Sequence, residues 1–483
     1  MGRDVEAQEF TSDDRTRYRA KILKCLDVLA QMLSTDTFVA GPPRAGIEIE
    51  FNLVDDAGLP IMRNAETLDA IDDEDFQTEL GQFNIEINVA PEAVEGAGLD
   101  QLTAALAEDL NRAEDRARSV GSHIMMIGIL PTLDHEHFVH DAMSTNPRYH
   151  LLSEQILNAR GEDIEIVIDG VDRLEVRTDT IMPEAACTST QLHLQVAPER
   201  FAQTWNAAQA IAGVQVAVGA NSPFLMGKRL WHETRIPLFE QATDTRSSEL
   251  KAQGVRPRVW FGERWITSVY DLFEENARYF GALLPIVEDE DPVEVLAAGG
   301  VPSLEEMRLH NGTIYRWNRP IYDIADGQPH VRIENRLLPA GPTVVDTMAN
   351  AAFFYGLVRA LGSAERPVWS RMSFHAACEN FYEGALHGLG AELYWPGVGQ
   401  APVSELVLRH HLPLARAGLA SLEVEDAVAE RLLGIIERRC ITGRNGASWL
   451  IEAHEKYDDL AAVTLAYRDL MHSGEPVDSW PDP

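Results

Sequence analysis

Four separated segments of this chain alternate apolar and polar side chains with a period of two, and no other feature limits its fold as strongly. In residues 45–54, Ile47, Ile49 and Phe51 alternate with Glu48, Glu50 and Asn52. Residues 82–92 set Asn84, Glu86 and Asn88 against Ile85, Ile87 and Val89. Residues 189–196 set Ser189, Gln191, His193 and Gln195 against Thr190, Leu192, Leu194 and Val196. Residues 331–337 set Arg332, Glu334 and Arg336 against Val331, Ile333 and, past a polar break at Asn335, Leu337. Side chains two apart on a strand share a face. Each segment therefore predicts a strand with an oily back and a polar front.

Glu48 and Glu50 would project from one side of their strand, about 7 Å apart by the strand rise. Like charges so placed repel, and a hard divalent cation relieves the repulsion by taking oxygens from both. A half-solvated strand with its charge outside accounts for this segment alone. Recurrence in four segments favours a shared face. If the strands neighbour one another, their front becomes a surface of metal ligands and anion binders. Such a surface suits a metal-bound polyanion, and a nucleotide polyphosphate is the usual one.

The chain has 483 residues, enough for one large domain or two intimately packed ones. Its net charge of -35 argues against nucleic acid and anionic membrane surfaces as partners. Positive groups must then be concentrated locally, as on the strand carrying Arg332 and Arg336. Cys25, Cys187, Cys378 and Cys440 are widely spaced and form no Cys-x-x-Cys pair, so zinc-ribbon, thioredoxin-like and disulfide-scaffold readings lack support. The opening residues lack the apolar core of a signal peptide, and nowhere do about 18 apolar residues run together. A cytoplasmic location is expected.

Helices are predicted over 13–34, 99–120 and 201–218, with a chain break at Gly41-Pro42-Pro43. Residues 122–130 read as a buried strand ending at Pro131. His135, His137 and His140 sit in a polar stretch and read as a solvated loop. Residues 289–302 are acidic and loop-like, a candidate lid. Residues 313–320 place Arg316 and Arg319 beside aromatics, which fits core packing and ligand binding equally. Further helices are predicted over 343–361, 370–383 and 425–438, with a polar turn at 442–446. No repeat or clean linker divides the chain, so a continuous α+β unit with an antiparallel or mixed sheet is the simplest architecture. P-loop, dinucleotide-binding, nucleophile-elbow, His-Glu-x-x-His and kinase motifs are all missing.

The segments Gly-Ile-Glu-Ile-Glu-Phe, Glu-Leu-Gly-Gln-Phe-Asn-Ile-Glu-Ile-Asn-Val-Ala-Pro-Glu, Gln-Leu-His-Leu-Gln-Val, Gly-Ala-Asn-Ser-Pro, Tyr-Arg-Trp-Asn-Arg-Pro and Arg-Ile-Glu-Asn-Arg carry a resemblance. In order and residue type they resemble the carboxylate-amine ligases of the glutamate–cysteine ligase group, related in fold to glutamine synthetase. The likeness covers roughly residues 40–362. It implies an N-terminal helical segment (1–40), a catalytic domain (41–362) and a helical C-terminal region (363–483) packed on it.

The resemblance further implies a curved, mainly antiparallel sheet forming a funnel flanked by helices. Two or three Mg²⁺ ions, or Mn²⁺ in their place, would sit on its concave face with ATP. By the same likeness Glu48, Glu50, Glu79, Glu86, His193 and Glu334 are metal ligands, and Arg336 faces the transferring phosphate. Arg235 or Arg316 would hold a substrate carboxylate, while Asn221, Arg319 and Arg332 are further substrate or nucleotide contacts. The implied reaction activates the γ-carboxyl of glutamate as an acyl phosphate and joins it to an amine such as cysteine. Its partners would be small molecules, and the helical C-terminal third offers surface for self-association into a homo-oligomer. Two other readings keep the sheet: a guanidino-kinase-like phosphotransferase and a non-catalytic nucleotide-binding regulator.

Overall fold

The four alternating segments become neighbours in one curled antiparallel sheet. The computed structural model describes residues 10–35, 37–38 and 43–483. The sheet has seven strands: β1 (Arg44–Val54), β2 (Phe76–Thr78), β3 (Asn84–Ala93), β4 (His123–Met125), β5 (Ser189–Gln195), β6 (Asn318–Ala325) and β7 (Gln328–Pro339). Their order is β6-β7-β5-β1-β3-β2, with β4 paired to the far end of β1. The predicted α+β class and antiparallel sheet both hold. Gly41 and Pro42 of the expected chain break lie outside the described residues; β1 starts directly after Pro43.

Register follows from where the oil lies. Ile47, Ile49, Phe51, Ile85, Ile87, Leu192 and Ile333 are all buried. Burying each such side chain is worth roughly 1.5–3 kcal/mol. A one-residue slip would turn them outward and the glutamates inward. The polar break at Asn335 proves to be a bulge: the β7–β5 pairing jumps from Asn335–Leu192 to Leu338–Thr190. Asn335 precedes the extra residue and faces the back by the same alternation as Ile333, bonding Gln215 and Asn318, while Arg336 keeps the front.

Helices cover the back of the sheet. The main ones are α1 (Ser12–Leu33), α2 (Pro198–Gly219), α3 (Arg235–Ala242), α4 (Val344–Gly362), α5 (Phe374–His387), α6 (Leu412–Ser421) and α7 (Asp426–Thr442). Two crossings depend on glycine. A Cβ on Gly213 of α2 would lie 2.2 Å from the Asn380 carbonyl oxygen of α5, and one on Gly418 of α6 would lie 1.8 Å from that of Gly356 in α4. Backbones touch there, and no side chain fits.

The region after residue 362 shares one hydrophobic cluster with the sheet and its helices. A buried ion pair joins the two parts. Arg439 of α7 reaches Asp346 at 2.7 Å and Asn350 at 2.7 Å, both on α4.

Several expectations need correction. The strand predicted over 122–130 is regular only at His123–Met125; the rest is buried irregular chain, because β1 offers partners only as far as Met125. The 289–302 stretch contains a short helix, Pro292–Ala297, and is tethered rather than free. Lys24 pairs with Asp291 at 2.8 Å, and Lys21 donates to the Glu288 carbonyl at 3.0 Å. His135 and His137 fall in one 3₁₀ turn and His140 in another; His135 and His140 are exposed, as the solvated-loop reading expects, whereas His137 is partly covered and accepts from the Asp134 N–H at 2.9 Å. The hairpin over Ile164–Asp169 and Arg173–Thr178 was not foreseen, nor were the helices Gly446–Tyr457 and Leu460–Met471. Among the described residues no helix is long and apolar enough to cross a membrane.

Glu240 of α3 supplies a pH test of the fold. Its carboxylate accepts from the Tyr382 hydroxyl at 2.8 Å and from Trp317 Nε1 at 3.4 Å, and burial pushes its pKa up to about 7. A carboxyl raised above its unfolded value contributes stability at low pH that is lost as pH rises through the folded value. Glu240→Gln keeps an acceptor and removes the ionisation. Thermal melts should show wild type losing about 2 kcal/mol relative to the variant between pH 5 and 8. Parallel pH profiles would refute this account.

Candidate active site

Six of the side chains predicted as metal ligands meet on the front of the sheet in two groups of three. Oxygen atoms of Glu50, Glu79 and Glu86 lie within 4.8 Å of one another, and so do donor atoms of Glu48, His193 and Glu334. The register makes this inevitable. Glu50 stands opposite Glu86 across β1 and β3, and Glu334 stands opposite His193 across β7 and β5. Gly46 faces His193 from β1, leaving Glu48, two residues on, to approach the ring. Glu79 lies just past β2, where the return into β3 brings it back to Glu86 seven residues later; the Ser144 hydroxyl donates to its carbonyl.

Glu48, Glu50, Glu79 and Glu86 line a cleft of about 590 Å³; His193 and Glu334 touch its lining through Glu48 and Arg319. Around them stand Arg336, Arg319, Arg308, Arg148, Tyr149, Tyr315 and Glu184. Leu152, Ile181, Ile286 and Leu309 give the cleft an apolar part.

Electrostatically the two groups differ. In the first, burial and then the neighbouring Glu79 push Glu50 up to about 7. Burial raises Glu79, and burial with Glu79 beside it lifts Glu86 well above the ordinary range. No ion pair with a described arginine or lysine relieves them; among the described residues Glu50 accepts from the Ser189 N–H at 2.6 Å, from the Ser189 hydroxyl at 3.0 Å and from Gln191 at 2.9 Å. In the second group burial also acts upward, but the His193 ring outweighs it and holds Glu48 down to about 2. Glu334 is likewise lowered, burial being overcome by Arg319 and Arg336.

These donors fit divalent cations. Oxygen-rich sets are what hard ions take, and the first group carries repulsion that a dication would remove. His193 Nε2 is buried and makes no hydrogen bond, although it lies 3.1 Å from Glu48 Oε1. Among the described residues no third group of this kind occurs.

The arginines and Asn221 sort differently from expectation. Arg336 enters the cleft with its guanidinium 3.7 Å from Glu334 and 5.8 Å from the Tyr315 ring. Arg319 grips Glu334 with two bonds, at 2.5 and 2.8 Å. Arg332 bonds His193 Nδ1 at 3.1 Å. Arg316 is not brought to the cleft: it is buried, paired with Glu275 at 2.9 Å and set 4.7 Å over the Trp260 ring. Asn221 is also away from it, donating to the Ala340 carbonyl and to Tyr467. Arg235 lies beneath the β7 bulge, paired with Glu233 at 3.1 Å and donating to the carbonyls of Leu337 and Arg336. It buttresses Arg336 from behind. Arg148, Tyr149 and Glu184 were missed, since a helix start and a 3₁₀ turn carry no strand alternation.

A curled antiparallel sheet with paired acidic donor groups is the framework of a carboxylate-amine ligase, and comparison with known proteins bears this out. The model of the glutamate-cysteine ligase family 2 matches residues 44–466. Two proteins named "Putative glutamate--cysteine ligase 2-2", from Mycobacterium sp. strains KMS and JLS, are each 34% identical over 448 residues, covering 89% of this chain and all of theirs. The crystal structure of a glutamate–cysteine ligase from Francisella tularensis in complex with AMP shares the fold, with a TM-score of 0.58. It is 14% identical, over 92% of this chain and 91% of that one. The chain belongs to glutamate-cysteine ligase family 2.

Proposed function

We propose that the cleft carries out an ATP- and Mg²⁺-dependent ligation, in which the γ-carboxyl of L-glutamate is activated as an acyl phosphate and joined to an amine. L-Cysteine is the amine that the names of the relatives suggest. The observation that carries this reading is the pair of three-donor groups side by side beneath Arg336. Glu50, Glu79 and Glu86 would hold one Mg²⁺ and Glu48, His193 and Glu334 another; bound there, the ions would supply positive charge to phosphate and carboxylate oxygens.

A carboxylate resists nucleophiles because it is negative and hydroxide leaves badly. Phosphorylation by ATP cures both faults. The charge developing on the phosphoryl oxygens needs fixed positive partners, and Arg336, whose backbone Arg235 supports from beneath, would take that role. An acyl phosphate must also be kept from water. Leu152, Ile181, Ile286 and Leu309 contribute dry wall.

ADP release should be measured with ATP, Mg²⁺ and L-glutamate while single amines are added in turn. Release that depends on one amine, with an amide of matching mass and free phosphate, is the expected result. A phosphorylated acceptor with no amide would replace the ligase by a phosphotransferase. No ADP with any amine would reject glutamate activation.

A further inference from the structure

A second cavity, of about 210 Å³, lies behind the wall of the cleft. The helix Glu305–Gly312 separates the two: Glu305, Arg308 and Leu309 line the cleft, while His310 lines this cavity. α1 and the helix Val269–Tyr279 supply most of the remaining wall, through Tyr18, Ile22 and Ala277, with Phe280 just beyond. Those four side chains are no more than 7% exposed, so the interior is apolar. It holds about seven waters at ~30 Å³ each, and an occupant must be small.

His310 is the polar exception. It is 3% exposed, and its Nε2 lies 3.0 Å from the Asn276 carbonyl oxygen. A carbonyl only accepts, so Nε2 carries the proton and Nδ1 keeps a lone pair. Burial, with Arg258 and Arg19 nearby, holds the ring's pKa down to about 4, so it stays uncharged at neutral pH. Nδ1 is buried and has no hydrogen-bond partner among the described residues. Buried polar groups are nearly always paired, and this acceptor lacks a donor. The mouth has the opposite need. Arg15 and Arg19 of α1 line it, both exposed. Arg15 donates to neutral oxygens, the Ala282 carbonyl at 2.7 Å and the Gln155 amide at 3.3 Å. Arg17, between them in sequence, pairs with Asp14 at 2.5 Å. Among the described residues neither Arg15 nor Arg19 forms an ion pair, although acidic side chains outnumber basic ones by 76 to 41.

We propose that this cavity is a second small-molecule site, taking an apolar carboxylate that carries a hydroxyl at its far end. The hydroxyl donates to His310 Nδ1. The apolar body lies among Tyr18, Ile22 and Phe280, and the carboxylate meets Arg15 and Arg19. Each part of the ligand answers a need of the cavity: a donor for the orphan nitrogen, oil for the walls, negative charge for the guanidinium groups. The site is separate from the cleft and does not depend on the reaction proposed there.

Titration calorimetry with 4-hydroxyphenylacetate tests this. Wild type should bind it with a Kd below about 1 mM, in keeping with the efficiency of ligands this small. Phenylacetate, which lacks the hydroxyl, should bind about 5-fold more weakly, and 4-hydroxyphenylacetamide, which lacks the charge, about 10-fold. His310→Phe should bind 4-hydroxyphenylacetate and phenylacetate alike, a loss of discrimination that a loosened fold would not produce. Arg19→Gln, at an exposed position, should weaken both acids about 3-fold and leave the amide unmoved. Arg336→Gln, altered in the cleft, should bind the acids as wild type does. No binding at millimolar concentrations would overturn the site and leave water as the partner of Nδ1. Binding that ignores both hydroxyl and charge would also overturn it, as would binding lost in Arg336→Gln but unchanged in Arg19→Gln.

Discussion

Glu50→Gln is expected to lower ligase turnover by about 10³-fold or more while leaving the folded protein at least as stable. The catalytic loss is on the scale of removing a preorganised electrostatic partner from a charged transition state. The variant deletes one of three carboxylates from the group that no described arginine or lysine pairs with. Stability should move the other way. The Glu50 carboxyl is raised to about 7 by burial and by Glu79, so at pH 8 it is ionised at a cost. Its contribution is intact below the ordinary carboxylate value and lost as pH rises through about 7. Glutamine escapes that loss, and it can still accept from Ser189 or Gln191. The measurements are kcat, Mn²⁺ binding and a thermal melt at pH 8. Near-normal kcat would remove Glu50 from the cation site. A large drop in melting temperature would mean that the side chain is structural.

Arg439→Ala should be the most damaging single change away from the cleft, costing about 3–5 kcal/mol of folding stability. Arg439 and Asp346 are 1% and 0% exposed, so removing the guanidinium strands a buried carboxylate. Asp346 keeps the Thr343 hydroxyl at 2.8 Å and the Val477 N–H at 3.1 Å, which soften the loss without supplying charge. Arg439→Lys restores a charge but not the reach to Asn350, and should fall between. Denaturant midpoints measure this. A cost below about 1 kcal/mol would show that the pair is not what fastens α7 to α4.

The cation-ligand candidates could be read from the sequence because a strand repeats every two residues and its neighbours align by the same rule. Glu48 and Glu50 imply a face, and His193 and Glu334 meet them once the strands pair. Glu79 is outside any strand, and resemblance rather than periodicity pointed to it. The arginines were harder. Arg235 and Arg336 look alike in the sequence, yet one is consumed by Glu233 and the other is free to enter the cleft. Arg316 meets its partner Glu275 from 41 residues away, a distance no local pattern spans. Arg148, Tyr149 and Glu184 reach the cleft from segments whose direction is set by packing alone. The helices Gly446–Tyr457 and Leu460–Met471 start at Asn445 and Asp459 caps and are only 12 residues each, so their periodic signal is short.

The strand register has a last consequence, for what an imperfect preparation of this protein would contain. The same alternation that buries Ile47, Ile49 and Phe51 aims Glu48 and Glu50 at the cleft, so a shift by one residue in β1 removes both donors together. The donors carried by the strands are therefore gained or lost together with the sheet itself. Batches of different quality should differ in the number of working molecules, each with the same rate. Titrating bound Mn²⁺ against kcat across such batches should give a straight line through the origin.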